Sequence, residues 1–112
     1  MPPQAVEAEM AVLGSMMLDK QAAHTVFEIL DESIFYRETH RKIFLAALAL
    51  YERNEPIDIL TVSNELQKKN ELEAVGGDYY LTELVERIPS AANIEHYCRI
   101  VQDRGLLRKL IK

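Results

Sequence analysis

Residues 75–97 read V-G-G-D-Y-Y-L-T-E-L-V-E-R-I-P-S-A-A-N-I-E-H-Y, and more of the architecture follows from them than from any other segment. The glycine pair at 76–77 can adopt the positive φ angles that end a helix. The residues after it have helical apolar spacing as far as Pro89, which ends that helix, and Ser90 or Asn93 can cap the next one. The segment therefore predicts two helices at a fixed angle with tyrosines near the surface, which is typical of a docking module.

Helical periodicity continues on both sides of this segment, and convincing alternating strand patterns are absent from the sequence. Upstream, the apolar spacing predicts four helices, over residues 3–18, 21–30, about 37–52 and about 58–70. Between the second and third helices we expect a loop whose Ile34 and Phe35 fill the core, and we expect a short link over residues 71–75. With a helix over residues 78–87 and a last helix from residue 93, the sequence predicts an all-α fold, a compact globular head of about five to six helices.

Two of these helices carry features that bear on packing. The third is apolar round most of its circumference, which predicts a central position in the bundle. The first has a single apolar stripe, and Gly14 interrupts its good helix formers at a cost of about 1 kcal/mol relative to alanine. Close packing of another helix over Gly14 would explain that cost, and a plain surface position is the alternative. The stripe consists of Val6, Met10, Leu13 and Met17.

The last predicted helix has no stop signal. Residues 106–112 keep helical periodicity to the final lysine without a glycine or proline. The apolar residues of this helix require a surface to pack against, and the preceding helices do not necessarily provide it. These residues are Ile100, Val101, Leu107, Leu110 and Ile111. The sequence therefore predicts a helix that is cut within its length, and a chain that is a fragment of a longer protein.

Composition narrows the class of protein. The 112 residues predict one domain or part of a larger one, and 48% of them are hydrophobic, which is ordinary for a globular domain. Cys98 is the only cysteine, so an internal disulfide is excluded. No apolar run approaches the ~20 residues that cross a bilayer, and the opening Met1–Gln4 lacks the basic flank and apolar core of a signal peptide. We expect a cytoplasmic protein.

Charge is distributed unevenly along the chain. Residues 1–98 carry eight Lys and Arg against seventeen Asp and Glu, whereas residues 99–112 carry five against one. An acidic body repels phosphate backbones, so we expect little direct nucleic-acid binding by this domain. The basic residues near the end are expected to form a solvated helix face.

Patterns typical of catalysis are missing from the sequence. There is no G-x-x-x-x-G-K-[ST] phosphate loop, and the glycine pair at 76–77 without a lysine is better interpreted as a helix terminator. Glu7 and Glu9 are two residues apart and diverge on a helix, so we expect helix-start charges and no acid–base pair. Cys98, in phase with apolar neighbours, is expected to fill the core.

Metal-ligand spacing is also missing. The histidines lie on three separate predicted helices, and we expect ordinary surface or half-buried side chains at His24, His40 and His96. A small basic cluster is expected to be solvated and consists of Arg37, Arg41 and Lys42. The sequence thus assigns no catalytic, cofactor-binding or metal residue to this segment.

Nearly the whole chain is covered by a series of short motifs that stand in a fixed order. These are P-P-Q-A-V-E-A-E-M-A-V-L-G at 2–14, L-D at 18–19, F-Y at 35–36, His40 with I-F at 43–44, P-I-D at 56–58 with T-V at 61–62, G-G at 76–77 with Y-L at 80–81, and P-S-A-A-N-I at 89–94. As a set they resemble the N-terminal domain of bacterial replicative DNA helicases of the DnaB type. The departures are minor: Met10 stands where that family commonly has glutamine, and Asp78 where it has a small or apolar residue.

The resemblance implies a function for the parent protein. That protein would be a hexameric ring that unwinds duplex DNA at the replication fork, with ATP and Mg in a RecA-like motor domain that lies outside this chain. It implies a globular head over residues 1–92 and, over residues 93–112, the incomplete first helix of a helical hairpin. This fragment would be non-catalytic and would hold no cofactor. It would serve ring assembly through paired subunits and recruit primase through the C-terminal helicase-binding domain of primase.

The resemblance also implies two partner-binding residues. In the family, primase binding is sensitive to the first glutamate of E-A-E and to the tyrosine of the Y-L pair that follows the two glycines, which fall on Glu7 and Tyr80. Without the resemblance, Glu7 would be a plain helix-start charge. Tyr80 would then be either an interface residue or a half-buried tyrosine beside Leu84, since tyrosine serves both roles.

Two other classes of function stay open at this point. A small DNA-binding regulator of helix-turn-helix type would need a recognition helix, and the helix after Pro56 offers Asn64, Gln67, Lys68 and Lys69 among acidic neighbours. A helical-bundle enzyme would need a convergent polar set. Salt-dependent DNA binding would favour the regulator, and a tightly bound metal would favour the enzyme.

Overall fold

The computed structural model describes residues 5–88 and 90–111. Within these ranges the chain is all-α, as predicted, and no strand is present. Its elements in order are α1 Val6–Leu18, α2 Lys20–Ile29, a 3-10 turn Glu32–Ile34, α3 Glu38–Glu52, α4 Ile59–Lys68, α5 Leu72–Val75, α6 Gly77–Glu86 and α7 Ile94–Leu110.

One element differs from the sequence prediction. The link expected over residues 71–75 is a single helical turn, α5. Gly76 follows it with φ 109° and Gly77 with φ 71°, which confirms the positive angles predicted for this pair. The left-handed Gly76 closes α5 and begins α6 in one residue, so a short helix fits where the sequence indicated only a connection.

The helix starts follow local hydrogen-bonding chemistry. Asp58 caps α4: its side chain accepts from the backbone N–H of Thr61 at 2.9 Å, and the Thr61 hydroxyl accepts from the Asp58 N–H at 2.9 Å. Asn93 precedes α7 without a side-chain cap bond. The predicted helix start at Pro3 and the predicted break at Pro89 lie outside the described residues.

Helix α1 is surrounded by other helices. It contacts α2, α3, α6 and α7, and nine of its thirteen residues are buried, more than the single predicted stripe implies. A Cβ on Gly14 would clash with the backbone carbonyl of Leu84, which confirms close helix packing over this glycine. Helix α3 was predicted to be central; it contacts α1, α4, α5 and the 3-10 turn, and it shares that position with α1.

The loop between α2 and α3 reaches into the core. Phe35 is completely buried and its ring lies 5.2 Å from that of Phe44. Ile34 is 6% exposed, so both residues fill the core as predicted.

Helix α7 packs on α1, α2 and the 3-10 turn. Its residues Ile94, Cys98 and Val101 belong to the same buried cluster as α1. Burial raises the pKa of the Cys98 thiol to about 11, and the predicted core position of this cysteine is confirmed. Further along, α7 leaves apolar side chains exposed at Leu106, Leu107 and Leu110, followed by Ile111. None of the described helices is long and apolar enough to cross a membrane.

Candidate partner-binding site

Tyr80 lies in the first turns of α6 and is half-buried. Its hydroxyl is 2.6 Å from Nε2 of His40, and the two rings are stacked with centroids 5.9 Å apart at 12°. Burial raises the pKa of the Tyr80 hydroxyl, and the Arg37 guanidinium partly offsets that rise. The ring of Tyr80 is therefore held by specific contacts on its inner side.

Two fully buried polar residues continue the network behind Tyr80. Nδ1 of His40 lies 2.7 Å from Oε1 of Glu9, and the other carboxylate oxygen of Glu9 accepts from the backbone N–H of Tyr36 at 2.6 Å. The side chains of His40 and Glu9 are 0% and 1% exposed. Such groups are tolerated in a core because each polar atom has a partner.

These two residues correct the sequence-based expectations. His40 is buried, not a surface or half-buried histidine, and Glu9 lies in the first turn of α1 as expected but is a core residue. A signal was present in the sequence: Glu9 shares the helical phase of Val12 and Leu13, and His40 shares that of Ile43 and Phe44. The helical phase of Glu9 and His40 relative to their apolar neighbours indicated burial, whereas their polar side chains suggested a surface position.

Two hydrogen bonds link Tyr80, His40 and Glu9. A carboxylate can only accept, so Nδ1 of His40 donates to Glu9. The second bond joins Nε2 of His40 to the Tyr80 hydroxyl at 2.6 Å. The guanidinium of Arg37 lies close enough to this hydroxyl to oppose the rise in its pKa. The network thus runs from half-buried Tyr80 through His40 to Glu9 in the core.

Glu7 has a different environment from Glu9. Its side chain is 78% exposed and accepts from Arg87 at 2.7 Å, so the predicted divergence of the two glutamates is confirmed. Glu83 lies one turn before Arg87 and approaches it to 3.6 Å. Tyr80 and Arg87 are seven residues apart, on one face of the helix at a separation of about 10 Å along its axis. Tyr80 and Glu7 thus lie at the two ends of one edge of the domain.

A groove opens beside Glu7, between α1, the end of α6 and α7. It has a volume of about 630 Å³. Its lining is mostly apolar and includes three charged side chains, and the residues are Ala5, Val6, Glu7, Ala8, Met10, Ala11, Arg87, Ile88, Tyr97, Ile100 and Arg104. The edge from Tyr80 to Glu7 therefore ends at a concave surface.

One exposed aromatic residue at this edge was not singled out from the sequence as a site residue. Tyr79 is 83% exposed, although it directly precedes Tyr80 in α6. Its position between Asp78 and the half-buried tyrosine gave no local indication of which ring would face solvent.

The remaining candidate residues do not form a chemical site. The described residues contain no group of three His, Cys, Asp or Glu side chains that could hold a metal ion. His24 lies on α2 and bonds the Tyr51 hydroxyl at 2.5 Å, and His96 is exposed on α7, so the three histidines occupy separate helices as predicted.

The basic cluster is divided among acidic and aromatic partners. Arg41 pairs with Glu38 at 2.8 Å, and Lys42 approaches Glu71 to 3.9 Å. The guanidinium of Arg37 lies near the Tyr80 hydroxyl and opposes the rise in its pKa. The three cations therefore serve separate local contacts and do not present a joint basic surface.

Comparison with known proteins identifies relatives of this chain. The family model described as DnaB-like helicase N terminal domain matches residues 1–103. The chain is 49% identical over 111 residues to the replicative DNA helicase DnaB of Geobacillus stearothermophilus, covering 99% of this chain and 24% of that protein. It is 46% identical over 112 residues to the replicative DNA helicase DnaC of Bacillus subtilis, covering all of this chain and 25% of that protein. The chain thus spans about a quarter of the length of these relatives.

Solved structures share the fold. The crystal structure of the N-terminal domain of DnaB helicase from Mycobacterium tuberculosis matches with a TM-score of 0.96 and 43% identity, covering 99% of this chain and 80% of that one. The N-terminal domain of DnaB helicase from Helicobacter pylori, described together with its interactions with primase, matches with a TM-score of 0.78 and 26% identity over 93% of this chain and 80% of that one. The chain belongs to the family of DnaB-like helicase N-terminal domains.

Proposed function

We propose that this chain is a partner-binding and ring-assembling domain of a replicative DNA helicase and that it catalyses no reaction itself. The observation that carries the proposal is the family match over residues 1–103. Because the chain spans about a quarter of its curated relatives, we assign DNA unwinding to the rest of the parent protein. ATP and Mg²⁺ would be used there, in a RecA-like motor acting in the bacterial cytoplasm.

Primase is the partner that we propose for the edge between Tyr80 and Glu7. The Helicobacter pylori relative is described with its interactions with primase. In this chain the edge offers an exposed ring at Tyr79, a fixed half-buried ring at Tyr80 and acidic side chains at Glu7 and Glu83. Tyrosine provides a large rigid contact area with a polar end, the combination that binding hot spots favour.

Calorimetric titration of this chain with the C-terminal domain of primase tests the proposal. We expect Tyr80→Ala to weaken binding about tenfold or more, the effect of losing one hot spot. Glu7→Ala should weaken binding by a smaller factor, because its carboxylate is exposed and screened by water. Asn64→Ala, on the exposed side of α4, is the control and should leave the Kd unchanged. No binding by the wild-type chain would contradict the function, and a Kd unaffected by both changes would contradict the site.

We also propose that the end of α7 takes part in ring assembly, as the first helix of a hairpin that begins near residue 93. Four apolar side chains are 43–82% exposed there: Leu106, Leu107, Leu110 and Ile111. Exposed apolar clusters of this kind mark interfaces.

Sedimentation of a longer chain that includes the following helical segment of the parent tests this role. Leu107→Asp with Leu110→Asp should shift dimers or higher oligomers to monomers, because a charge cannot be buried at an apolar contact without a partner. Leu60→Asp is the matched control, since Leu60 is 69% exposed on α4. An unchanged sedimentation coefficient in the double variant would exclude this surface.

A further inference from the structure

The buried network behind Tyr80 is not explained by core packing alone. Glu9, His40 and Tyr80 are linked by contacts of 2.7 and 2.6 Å that join α1, α3 and α6. A core gains stability more simply from apolar side chains of similar volume, because buried polar groups must first lose their hydration. A fully satisfied polar network does, however, fix side chains in one arrangement.

Tyr80 is constrained at its hydroxyl and at its Cβ. The imidazole of His40 lies at the hydroxyl end of the ring and nearly parallel to it, at 12° with centroids 5.9 Å apart, and Nε2 of His40 is hydrogen-bonded to the hydroxyl. Gly76 lies so close that a Cβ there would approach the Tyr80 Cβ to 2.7 Å. His40 in turn cannot rotate while Nδ1 is bound to Glu9, whose second oxygen is held by the Tyr36 backbone. The remaining part of Tyr80 is the part that solvent or a partner can reach.

We propose that His40 and Glu9 are positioning residues that hold the Tyr80 ring in the orientation that binds primase. The inference rests on the proposed function and deepens it, because it adds two buried residues to a site made of exposed ones. A side chain that is already fixed loses less entropy on binding, so pre-organisation increases affinity. Primase would contact neither residue directly, since both are buried.

Two substitutions at His40 separate its two hydrogen bonds. The amide of asparagine can take the place of Nδ1 and donate to Glu9, but it does not reach Tyr80. The amide of glutamine can take the place of Nε2 and accept from Tyr80, but it does not reach Glu9. Both variants bury a neutral amide at the same position and lose one bond each. A purely structural role predicts that His40→Gln is affected at least as strongly as His40→Asn, because it leaves the buried Glu9 carboxylate short of a partner.

The proposal predicts different effects on primase binding. His40→Gln keeps the contact to Tyr80 and should bind within about threefold of wild type, whereas His40→Asn should lose about tenfold. Tyr80→Phe removes the same contact from the other side, so the double variant His40→Asn/Tyr80→Phe should bind no more weakly than Tyr80→Phe alone. Tyr51→Phe is the control, because it removes a tyrosine hydroxyl that bonds a different histidine, His24, away from this edge, and it should leave primase binding unchanged.

A readout without primase shows whether the network forms in solution. Proton NMR of the wild-type chain should show two slowly exchanging resonances downfield of the amides, from Nδ1–H of His40 and from the Tyr80 hydroxyl, because buried short hydrogen bonds protect their protons. Tyr80→Phe should remove one of them, and Glu9→Gln should shift the other.

The outcomes distinguish the two proposals. Equal losses of affinity in His40→Asn and His40→Gln, or additive losses in the double variant, would overturn the positioning role while leaving primase binding intact. Absence of both protected protons would also overturn it. A wild-type chain that shows both protons and fails to bind primase would overturn the proposed function itself.

Discussion

At the scale of single residues, Gly14 and Ser15 are adjacent in α1 and both face the core. Gly14 gives space to the carbonyl of Leu84, so that α6 can approach α1 closely. Ser15 is completely buried, and its hydroxyl has no hydrogen-bond partner among the described residues. A buried hydroxyl without a partner costs the free energy of its lost hydration. Of these two adjacent positions in α1, Gly14 has no room for a side chain, and Ser15 carries a polar group without a partner among the described residues.

Alanine at each position should have opposite effects. We expect Gly14→Ala to lower the free energy of unfolding by about 1–3 kcal/mol through overpacking, despite the better helix propensity of alanine. Ser15→Ala should raise it by about 1 kcal/mol by removing the unsatisfied hydroxyl. Urea unfolding of both variants measures the difference, and each variant controls for the other. A stabilised Gly14→Ala would show that α1 and α6 are further apart than described.

Cys98 makes stability depend on pH in the alkaline range. Burial raises the pKa of its thiol from 9.0 to about 11 in the folded protein. Between these two values the unfolded chain loses the thiol proton while the folded chain keeps it. The contribution of Cys98 to stability is therefore fully present below pH 9 and decreases as the pH rises toward 11. The melting temperature should drop over this interval.

The matched variant is Cys98→Ala, which removes the titrating thiol. Its melting temperature should fall less steeply between pH 9 and pH 11 than that of the wild type, even though the cavity lowers its overall stability. Parallel curves for the two proteins would contradict the assigned effect of Cys98.

Residue type alone did not predict the site. Glu7 and Glu9 look alike in the sequence, yet one is 78% exposed and the other is 1% exposed. Glu9, His40 and Tyr80 are 31 and 40 residues apart, so their contacts depend on how three helices pack. The resemblance indicated Tyr80 and Glu7 as partner-binding residues, and that assignment remains a prediction. The hydrogen bonds that hold Tyr80 from the core side were not predictable from the spacing of residues in the sequence.

At the scale of elements, the helices that were predicted well are those whose ends are determined locally. Either Asp58 or Thr61 was expected to cap α4, and the structure shows Asp58 as the cap, with the side chains of both residues bonding reciprocally. Gly76 and Gly77 were expected to adopt positive φ and do so. The single turn of α5 was missed because a four-residue helix has too little periodicity to be seen in sequence.

Loss of the cap at α4 should have a measurable cost. Asp58→Ala leaves the N–H of Thr61 without its partner and should lower the free energy of unfolding by about 1 kcal/mol. Asp103→Ala, at an exposed position within α7, is the control and should change stability by less than about 0.5 kcal/mol. Chemical unfolding measures both. Equal losses of stability in the two variants would mean that the loss of a negative charge, and not the loss of the cap, lowers the free energy of unfolding.

At the scale of the whole molecule, α7 completes the core. Ile94, Cys98 and Val101 lie in the same cluster as the buried residues of α1. Charged contacts add to this packing: Arg108 donates to the carbonyl of Ile34 at 2.6 Å and lies over the Tyr36 ring, and Lys109 donates to the Ser33 hydroxyl. One side of α7 therefore contributes to the fold along the helix, whereas Leu106, Leu107 and Leu110 near its end present exposed apolar side chains.

A chain cut after residue 92 should be far less stable than the full one. It would lose three core side chains that contribute about 1.5–3 kcal/mol each when buried, which is a large part of the 5–15 kcal/mol that typically stabilises a domain. We expect residues 1–92 to unfold without cooperativity in thermal circular dichroism. Residues 1–109, a chain that ends just before the exposed Leu110, are the control and should melt cooperatively. A cooperative transition for residues 1–92 would show that the head is independent of α7.

The position of α1 between distant helices also has a consequence for biosynthesis. Its two late partners, α6 and α7, begin at residues 77 and 94, and the Arg87–Glu7 bond joins residues 80 apart. At a translation speed of roughly 5–20 residues per second, α1 would wait several seconds after leaving the ribosome before α7 is synthesised. During that interval α2 and α3 can already cover part of α1, but the part of its methionine-rich surface that packs against α6 and α7 stays exposed. Nascent α1 is therefore the segment of this domain that most needs a chaperone, and slow codons between α6 and α7 would prolong its exposure.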